Sequence, residues 1–469
     1  MSTVSNPTSE LPRPGDRFYR TVWRWHFYAG LFVIPFLLML AITGIIYLFK
    51  PQLDAVMDRD RLFVQPVGVT VPYTQQLQAA QRAYPDAKVN KFTPNIAPNR
   101  SAEVEITTAN EQTLLVFVNP YTGKVLGDRN ENRNLQAIAR KIHGELMIGK
   151  VGDYLIELAA CWALVLLLTG LFLWIPRQQF SVWGTLLPRL GSKNRRVLWR
   201  DLHAVPGFYA LLLIGFLILT GLPWSGFWGE TFAAVSSRYP AQMWDDVPKS
   251  TILTGSLNQQ GVQVVPWAVE QLPMPLSYVS DTHHNHSTAP ETPAASVSLD
   301  SVIATAQSKG APPGYSVSLP KEATGVFTVS AFPDNPAQEM TLHIDRYSGK
   351  VLAAVGWQDY GFVPRVVEWG IAVHMGKYFG FGNQLLMLFA CLVIIVLCVS
   401  GTAMWWMRRP TGGVGAPPLP AYVEQWKAPL AIVAVLGIVF PLVGFSLLTV
   451  LLLDYLVFSR IPALKRILN

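Results

Sequence analysis

The chain has 469 residues, of which 51% are apolar, 12% aromatic and only 14% charged, with a formal net charge of +7. That composition excludes an ordinary soluble domain, and runs of 18 or more apolar residues account for the excess. The positive charge does not mark a nucleic-acid binder, because the basic residues cluster beside those runs.

Five apolar runs follow one another, at about 27–49, 154–175, 204–222, 384–407 and 429–458. The first is too long and too far from the N-terminus for a signal peptide, and it reads as a retained anchor. Residues 1–25 carry Arg13, Arg17, Arg20 and Arg24. The 176–202 loop carries Arg177, Arg189, Lys193, Arg195, Arg196 and Arg200. The positive-inside rule assigns both segments to the cytoplasm and the long segments 50–150 and 225–380 to the outside. The 408–427 loop, with Arg408, Arg409 and Lys427, is cytoplasmic again. The fifth run is longer than one upright span needs and too short for two. Pro441 predicts a kink in a single long helix. A re-entrant pair is the alternative, since five spans would leave Arg460, Lys465 and Arg466 of the tail outside.

The expected organisation is an α-helical integral membrane protein with about five spans in two parallel repeats and two small α+β domains outside. Its segments are a tail (1–22), a first span (23–50) and an outer segment (51–133). An interfacial helix with a second span (134–176), a basic loop (177–202) and a third span (203–224) follow. Then come a second outer segment (225–365), an interfacial helix with a fourth span (366–408) and a loop (409–427). A long kinked fifth span and tail (428–469) close the chain.

Each outer segment holds one module. In the first, 74–84 has helical periodicity, and 102–107 and 113–118 alternate as strands. In the second, 299–308 reads as the helix and 325–331 and 340–345 as strands. Both end on one motif, Tyr121-Thr-Gly-Lys-Val-Leu and Tyr347-Ser-Gly-Lys-Val-Leu. Gly123 and Gly349 supply the turn residue these hairpins need. Modules of about 60 residues need support from a neighbour.

Histidines mark matched points in the two halves. His26 precedes Gly44 by 18 residues, as His203 precedes Gly221. His143 precedes Gly170 by 27 residues, as His374 precedes Gly401. Each glycine follows a Thr or Ser. By topology His26 and His203 fall at the cytoplasmic side, and His143 and His374 at the outer side on short interfacial helices. A pseudo-two-fold axis along the membrane normal would relate the halves. The alternative pairing is His26 with His143 and His203 with His374. A single histidine at a helix end is usually an interfacial polar residue; four at matched offsets point to a cofactor.

Two histidines from two helices suffice for both axial positions of a haem b, whereas structural zinc wants four ligands. No Cys-x-x-Cys-His is present, so two haems b would be held without covalent attachment. The [ST]-G steps give close helix approach or room for a flat macrocycle. Arg24, Arg140, Arg200 and Lys377 are candidates for propionate contacts. His283, His284 and His286 form a weak metal-binding candidate in a Ser/Thr/Pro-rich loop, with a solvated loop the blander reading. His343 faces out of a predicted strand as a structural residue. Asp454, near the end of the last run, is a functional candidate by position. Trp224, Trp228, Trp405 and Trp406 read as interface belts. Cys161, Cys391 and Cys398 read as buried small hydrophobes.

The helix–strand–strand–turn modules with [DN]-x-x-[ST]-G-K-V-L turns, set between spans with histidines at their ends, resemble the PepSY-associated transmembrane family. The resemblance covers most of residues 20–410. The first turn has Asn119 where an acidic residue is usual, and the second has Asp345. The departure affects turn stability rather than chemistry. Members include iron-regulated inner-membrane proteins and reductases of ferric siderophores. The resemblance therefore implies PepSY-like outer modules and a di-haem b oxidoreductase of the bacterial inner membrane, with a cytoplasmic N-terminus and periplasmic domains. It implies a ferric siderophore as electron acceptor. No nucleotide or flavin motif is present, so a separate cytoplasmic or quinol donor is expected. No catalytic residue is identified. The alternative is a non-enzymatic membrane regulator or accessory protein of siderophore or metal uptake. A permease is disfavoured, because the middles of the first, second and fourth runs carry almost no polar residues.

Overall fold

The computed structural model describes residues 14–177, 180–236, 247–258, 263–277, 295–410, 434–453 and 456. Among these residues, four helices are long and apolar enough to cross a membrane: Phe18–Leu48, Lys150–Trp174, Arg195–Trp224 and Gly380–Arg408. They are the first to fourth spans. Each begins before its apolar run, because the flanking polar residues continue the helix into the headgroup region. Pro35 and Pro206 lie inside helices. Spanning helices tolerate this where neighbouring groups re-satisfy the freed backbone.

The chain forms two compact units. The helical unit comprises residues up to Thr43, His143–Trp228 and residues from Leu388. The β-rich unit comprises Gly44–Ile142 and Gly229–Met387.

Within the helical unit, the turn after the third span is fastened by two carboxylates of the second. Asp153 accepts from the Gly226 amide at 3.0 Å, and Glu157 accepts from the amides of Phe227 at 2.8 Å and Trp228 at 3.1 Å. A buried carboxylate so placed satisfies amides that open the helix Phe227–Ser236. Gly226 is required, since a Cβ there would lie 2.6 Å from an Asp153 carboxylate oxygen.

The fifth apolar run corrects the expectation of one long kinked helix. Residues 434–439 are helical, the helix breaks at Phe440, and a second helix runs Pro441–Leu453. The backbones of Gly437 and Gly444 touch, with a Cβ on Gly437 placed 3.1 Å from the Gly444 Cα. The chain therefore folds back instead of kinking. Pro441 cannot continue the preceding ladder, and two glycines permit the close approach. The second helix packs on the second span through Val443 against Cys161, and Trp162 donates to the Ser446 hydroxyl at 3.2 Å. Asp454 lies outside the described residues.

Among its described residues the β-rich unit contains ten strands. They are β1 (Lys88–Thr93), β2 (Ala102–Thr107), β3 (Thr113–Val118), β4 (Val125–Asn130), β5 (Lys249–Leu253), β6 (Pro273–Pro275), β7 (Ser316–Ser318), β8 (Phe327–Ala331), β9 (Met340–Ile344) and β10 (Val351–Gly356). Eight join in one sheet, in the order β10-β9-β8-β7-β1-β2-β3-β4, and β5 pairs with β6 separately. The two modules thus support each other by strand pairing, since β1 and β7 run antiparallel with Lys91 opposite Ser318. Helices Tyr73–Ala83 and Leu299–Ser308 cover one face over Phe92, Val104, Val317 and Val329, all essentially buried. Each such side chain contributes roughly 1.5–3 kcal/mol. The Asp300 carboxylate accepts from the amides of Tyr73 at 2.7 Å and Thr74 at 3.1 Å, so one module caps the other's helix.

The two turns are built alike. Tyr121 Oη donates to the Pro98 carbonyl and Tyr347 Oη to the Ala323 carbonyl, both at 2.8 Å. Asn119 Oδ1 accepts from the Tyr121 amide at 2.9 Å, as Asp345 Oδ1 does from the Tyr347 amide. The same oxygen also accepts from the following turn amide, Thr122 at 3.3 Å and Ser348 at 2.7 Å, and Asp345 alone takes a further bond, from the Ser348 hydroxyl at 2.8 Å. Gly123 and Gly349 have φ of 68° and 69°.

Candidate functional site

The histidines of the helical unit stand in a common arrangement. His26 lies on the first span, and its Nδ1 is 2.9 Å from Oγ1 of Thr169 on the second span. The Leu166 carbonyl also bonds this ring. His143 ends the helix Leu135–Glu145, and its Nδ1 is 2.9 Å from Oγ1 of Thr43 on the first span, with the Leu40 carbonyl beside it. His203 lies on the third span, and its Nδ1 is 3.1 Å from both Ser400 Oγ and the Leu397 carbonyl of the fourth. Each hydroxyl belongs to an [ST]-G step. Thr43, Thr169 and Ser400 also donate to the carbonyl four residues back in their own helices, at 2.6–2.8 Å. With the hydroxyl hydrogen so engaged, Nδ1 carries the ring proton and donates. Nε2 is then the nitrogen left with a lone pair, the form in which imidazole binds metals.

In two of these steps the glycine makes room for the ring. A Cβ on Gly170 would sit 3.2 Å from His26 Cε1, and one on Gly401 would sit 3.5 Å from His203 Cε1. The Thr or Ser holds the histidine of the neighbouring helix and the glycine admits it.

His26 and His203 come together. Their ring centroids are 6.3 Å apart and their planes are perpendicular, at 88°. Two imidazoles sharing one metal through about 2.0 Å bonds to Nε2 have centroids roughly 6 Å apart. Both rings line a cavity of about 1260 Å³ between the four spans. Its lining is mainly apolar, with Trp174 stacked on Phe208 at 3.7 Å and 5°. Gly30 and Gly207, each four residues after its histidine, also line it.

Four cations line the same cavity: Arg177, Arg189, Arg200 and Arg408. Arg189 and Arg200 share the buried Asp201, at 2.8 Å each. The Asp201 carboxylate holds the Arg189 guanidinium in its charged form, above the ordinary arginine range. Arg177 lies over the Tyr19 ring at 4.0 Å, and Arg408 over the Trp23 ring at 5.1 Å. Of the sequence candidates for propionate contact, only Arg200 is among them. Arg24 bonds Tyr28 Oη at 3.3 Å instead. Arg140 and Lys377 belong to the β-rich unit, where Lys377 Nζ lies over the Phe332 ring at 4.8 Å. Sequence reasoning passed over Arg177, Arg189 and Arg408 because no spacing rule marks them; their signal was membership of the basic segments beside the spans. Trp405 also lines the cavity, so it is not simply a belt residue.

His374 closes the helix Phe362–His374 in the β-rich unit. The loop beyond it is tight. Gly376 has φ of 72°, and a Cβ there would collide with the Leu48 side chain. His343 does not face outward as expected. It is 1% exposed and its Nδ1 is 3.0 Å from Thr328 Oγ1, and burial lowers its ring to about 4. The loop with His283, His284 and His286 lies outside the described residues. Cys161, Cys391 and Cys398 are free and buried, as expected. Among the described residues no group of three or more His, Cys, Asp or Glu could hold a metal ion.

No curated protein matches this chain. The family model of the PepSY-associated TM region matches residues 23–408, which include most of the first span, the other three spans and both β modules. The chain is therefore a membrane protein that belongs to the PepSY-associated TM family.

Proposed function

We propose that this protein is a haem b oxidoreductase of the bacterial inner membrane, passing electrons across the bilayer to an acceptor at the outer face. One observation carries the reading: His26 and His203 stand 6.3 Å apart, with their Nδ1 atoms tied back, inside a large apolar cavity. A haem b held there supplies a one-electron carrier. Every other role belongs to the chain. His26 and His203 would hold the haem iron, and Thr169, Ser400 and the carbonyls beside them would fix ring tautomer and direction. Arg177, Arg189, Arg200 and Arg408 provide positive charge for the propionates. The apolar walls exclude water.

His143 of the helical unit and His374 of the β-rich unit are also proposed as haem ligands, for haem at the outer face. His143 has the same hydroxyl-and-carbonyl support as the first pair, which favours the same use. The basic N-terminal segment and the 176–202 loop support a cytoplasmic N-terminus and periplasmic β modules. The fold-back at Pro441 returns the chain toward the face it came from, which supports a cytoplasmic basic tail. Through the family, the acceptor is a ferric siderophore, and the donor is a quinol or a cytoplasmic reductant. Reduction to Fe(II) loosens iron from hard oxygen ligands and releases it.

The test is a visible spectrum of the detergent-purified protein, oxidised and dithionite-reduced, with haem quantified per chain. Two low-spin b-type haems per chain, falling to one in His26→Ala and in His203→Ala, are expected. A colourless protein expressed with haem available overturns the reading and favours the regulator.

A further inference from the structure

The helix Phe362–His374 carries a carboxyl group into the interior of the β-rich unit. Glu368 is completely buried, and Glu339, 3% exposed, meets it from the residue just before β9. The Ala268 amide donates to Glu368 Oε1 at 3.0 Å. Glu368 Oε2, both Glu339 oxygens and the Tyr360 hydroxyl are buried without a partner in hydrogen-bonding geometry among the described residues. Tyr360 faces Glu339. Neither carboxyl group has a cation within ion-pair distance among those residues.

The other charged neighbours are few. Glu270 faces Glu368, Lys377 and Asp334 stand nearby, and Asp359 acts on Tyr360. Lys377 attracts a charge on Glu339, but burial and the facing Glu368 act more strongly in the other direction. Two adjacent carboxylates in a low-dielectric interior cannot both be ionised at acceptable cost. A proton between them removes the repulsion and supplies the missing hydrogen bond.

The pair also continues into a file of buried polar groups. Glu339, Thr341 and His343 alternate onto one face of β9. Ser330 stands opposite Thr341, and Thr328 opposite His343. Ser330 Oγ and Thr341 Oγ1 are likewise buried without partners among the described residues. Polar groups left open at this density call for ordered water, which is also what a proton needs to travel.

We propose that Glu339 and Glu368 share one proton at neutral pH and form a proton-exchange site linked to His374, six residues further along the same helix. The linkage, though not the shared proton, rests on the haem reading above. One electron arriving near His374 raises the proton affinity of the pair, and one proton from water occupies it. When the electron leaves for the acceptor, the proton is released. The charge change inside the unit is thereby compensated one for one.

The full-length protein, in detergent, tests this in two ways. Infrared difference spectra between neutral and alkaline pH are expected to show a protonated carboxyl carbonyl band that is lost in E339Q/E368Q. Identical spectra from both proteins overturn the shared proton. Haem redox titrations are expected to give an outer-haem potential that falls as pH rises, with the slope flattened in E339Q/E368Q. Haem content is the check that the variant is folded. Parallel slopes overturn the linkage. A protein without haem overturns both the linkage and the haem reading, while the infrared comparison still decides the pair.

Discussion

Thr169 holds His26 from behind across two helices, at 2.9 Å, while its neighbour Gly170 leaves the space the imidazole fills. Ser400 and Gly401 treat His203 in the same way. A pair of adjacent residues on one helix thus orients a ring on another, and the hydroxyl can be tested separately from the glycine.

Thr169→Val and Ser400→Ala remove the oxygen behind the ring while keeping the imidazole. Outer-shell losses of this kind cost about 10–100-fold in metal affinity. Haem titration into apo-protein is expected to show a fall in that range, less severe than in His26→Ala. Unchanged affinity in both variants would mean the hydroxyls merely satisfy local helix geometry.

Gly170→Ala is expected to reduce haem occupancy more than Gly401→Ala. The added methyl meets His26 at 3.2 Å but His203 at 3.5 Å, an ordinary contact distance. The order of the two occupancies, read from pyridine-haem spectra, decides whether ring seating governs the site.

The spans could be read from hydropathy alone, to within about ten residues at either end. Strands β2, β3, β8 and β9 were visible as alternation. Strands β1 and β7 were not, because KVNKFT carries two lysines and SVS has only three residues. Their meaning arises only when they pair with each other, which no local pattern encodes. The [ST]-G steps were conspicuous, but they suggested helix approach. That the hydroxyl supports a histidine on the neighbouring helix depends on which helices face each other, and spacing does not contain that. His343 misled because an alternating strand has a second face, and here that face is buried as well.

Asp300→Ala is expected to destabilise the β-rich unit by about 1–2 kcal/mol, the usual effect of losing a helix cap. The carboxylate is held below its ordinary range by the Thr74 side chain beside it and the amides it accepts from. Its contribution is therefore present above the unfolded value near 3.8 and lost as pH falls through the folded one. Thermal melts at neutral and acidic pH should show the wild-type advantage shrinking in acid.

Glu270 predicts the opposite slope. It is partly buried and accepts from Asn258 Nδ2 at 2.7 Å, and burial pushes it up to about 7. Stability from its protonated form is complete below the unfolded value of 4.5 and lost as pH rises through 7. Glu270→Gln should flatten the fall in melting temperature between those limits. An unaltered profile would place the titrating group elsewhere.

The seam between β1 and β7 imposes an order on biogenesis. Residues 94–315, with two membrane spans among them, must be made before β1 meets its partner. Until then the first module presents an unguarded edge, a ready template for a second nascent chain. A fragment ending after the second span should accordingly form dimers or aggregate, while the complete chain, whose β1 edge is taken, should not.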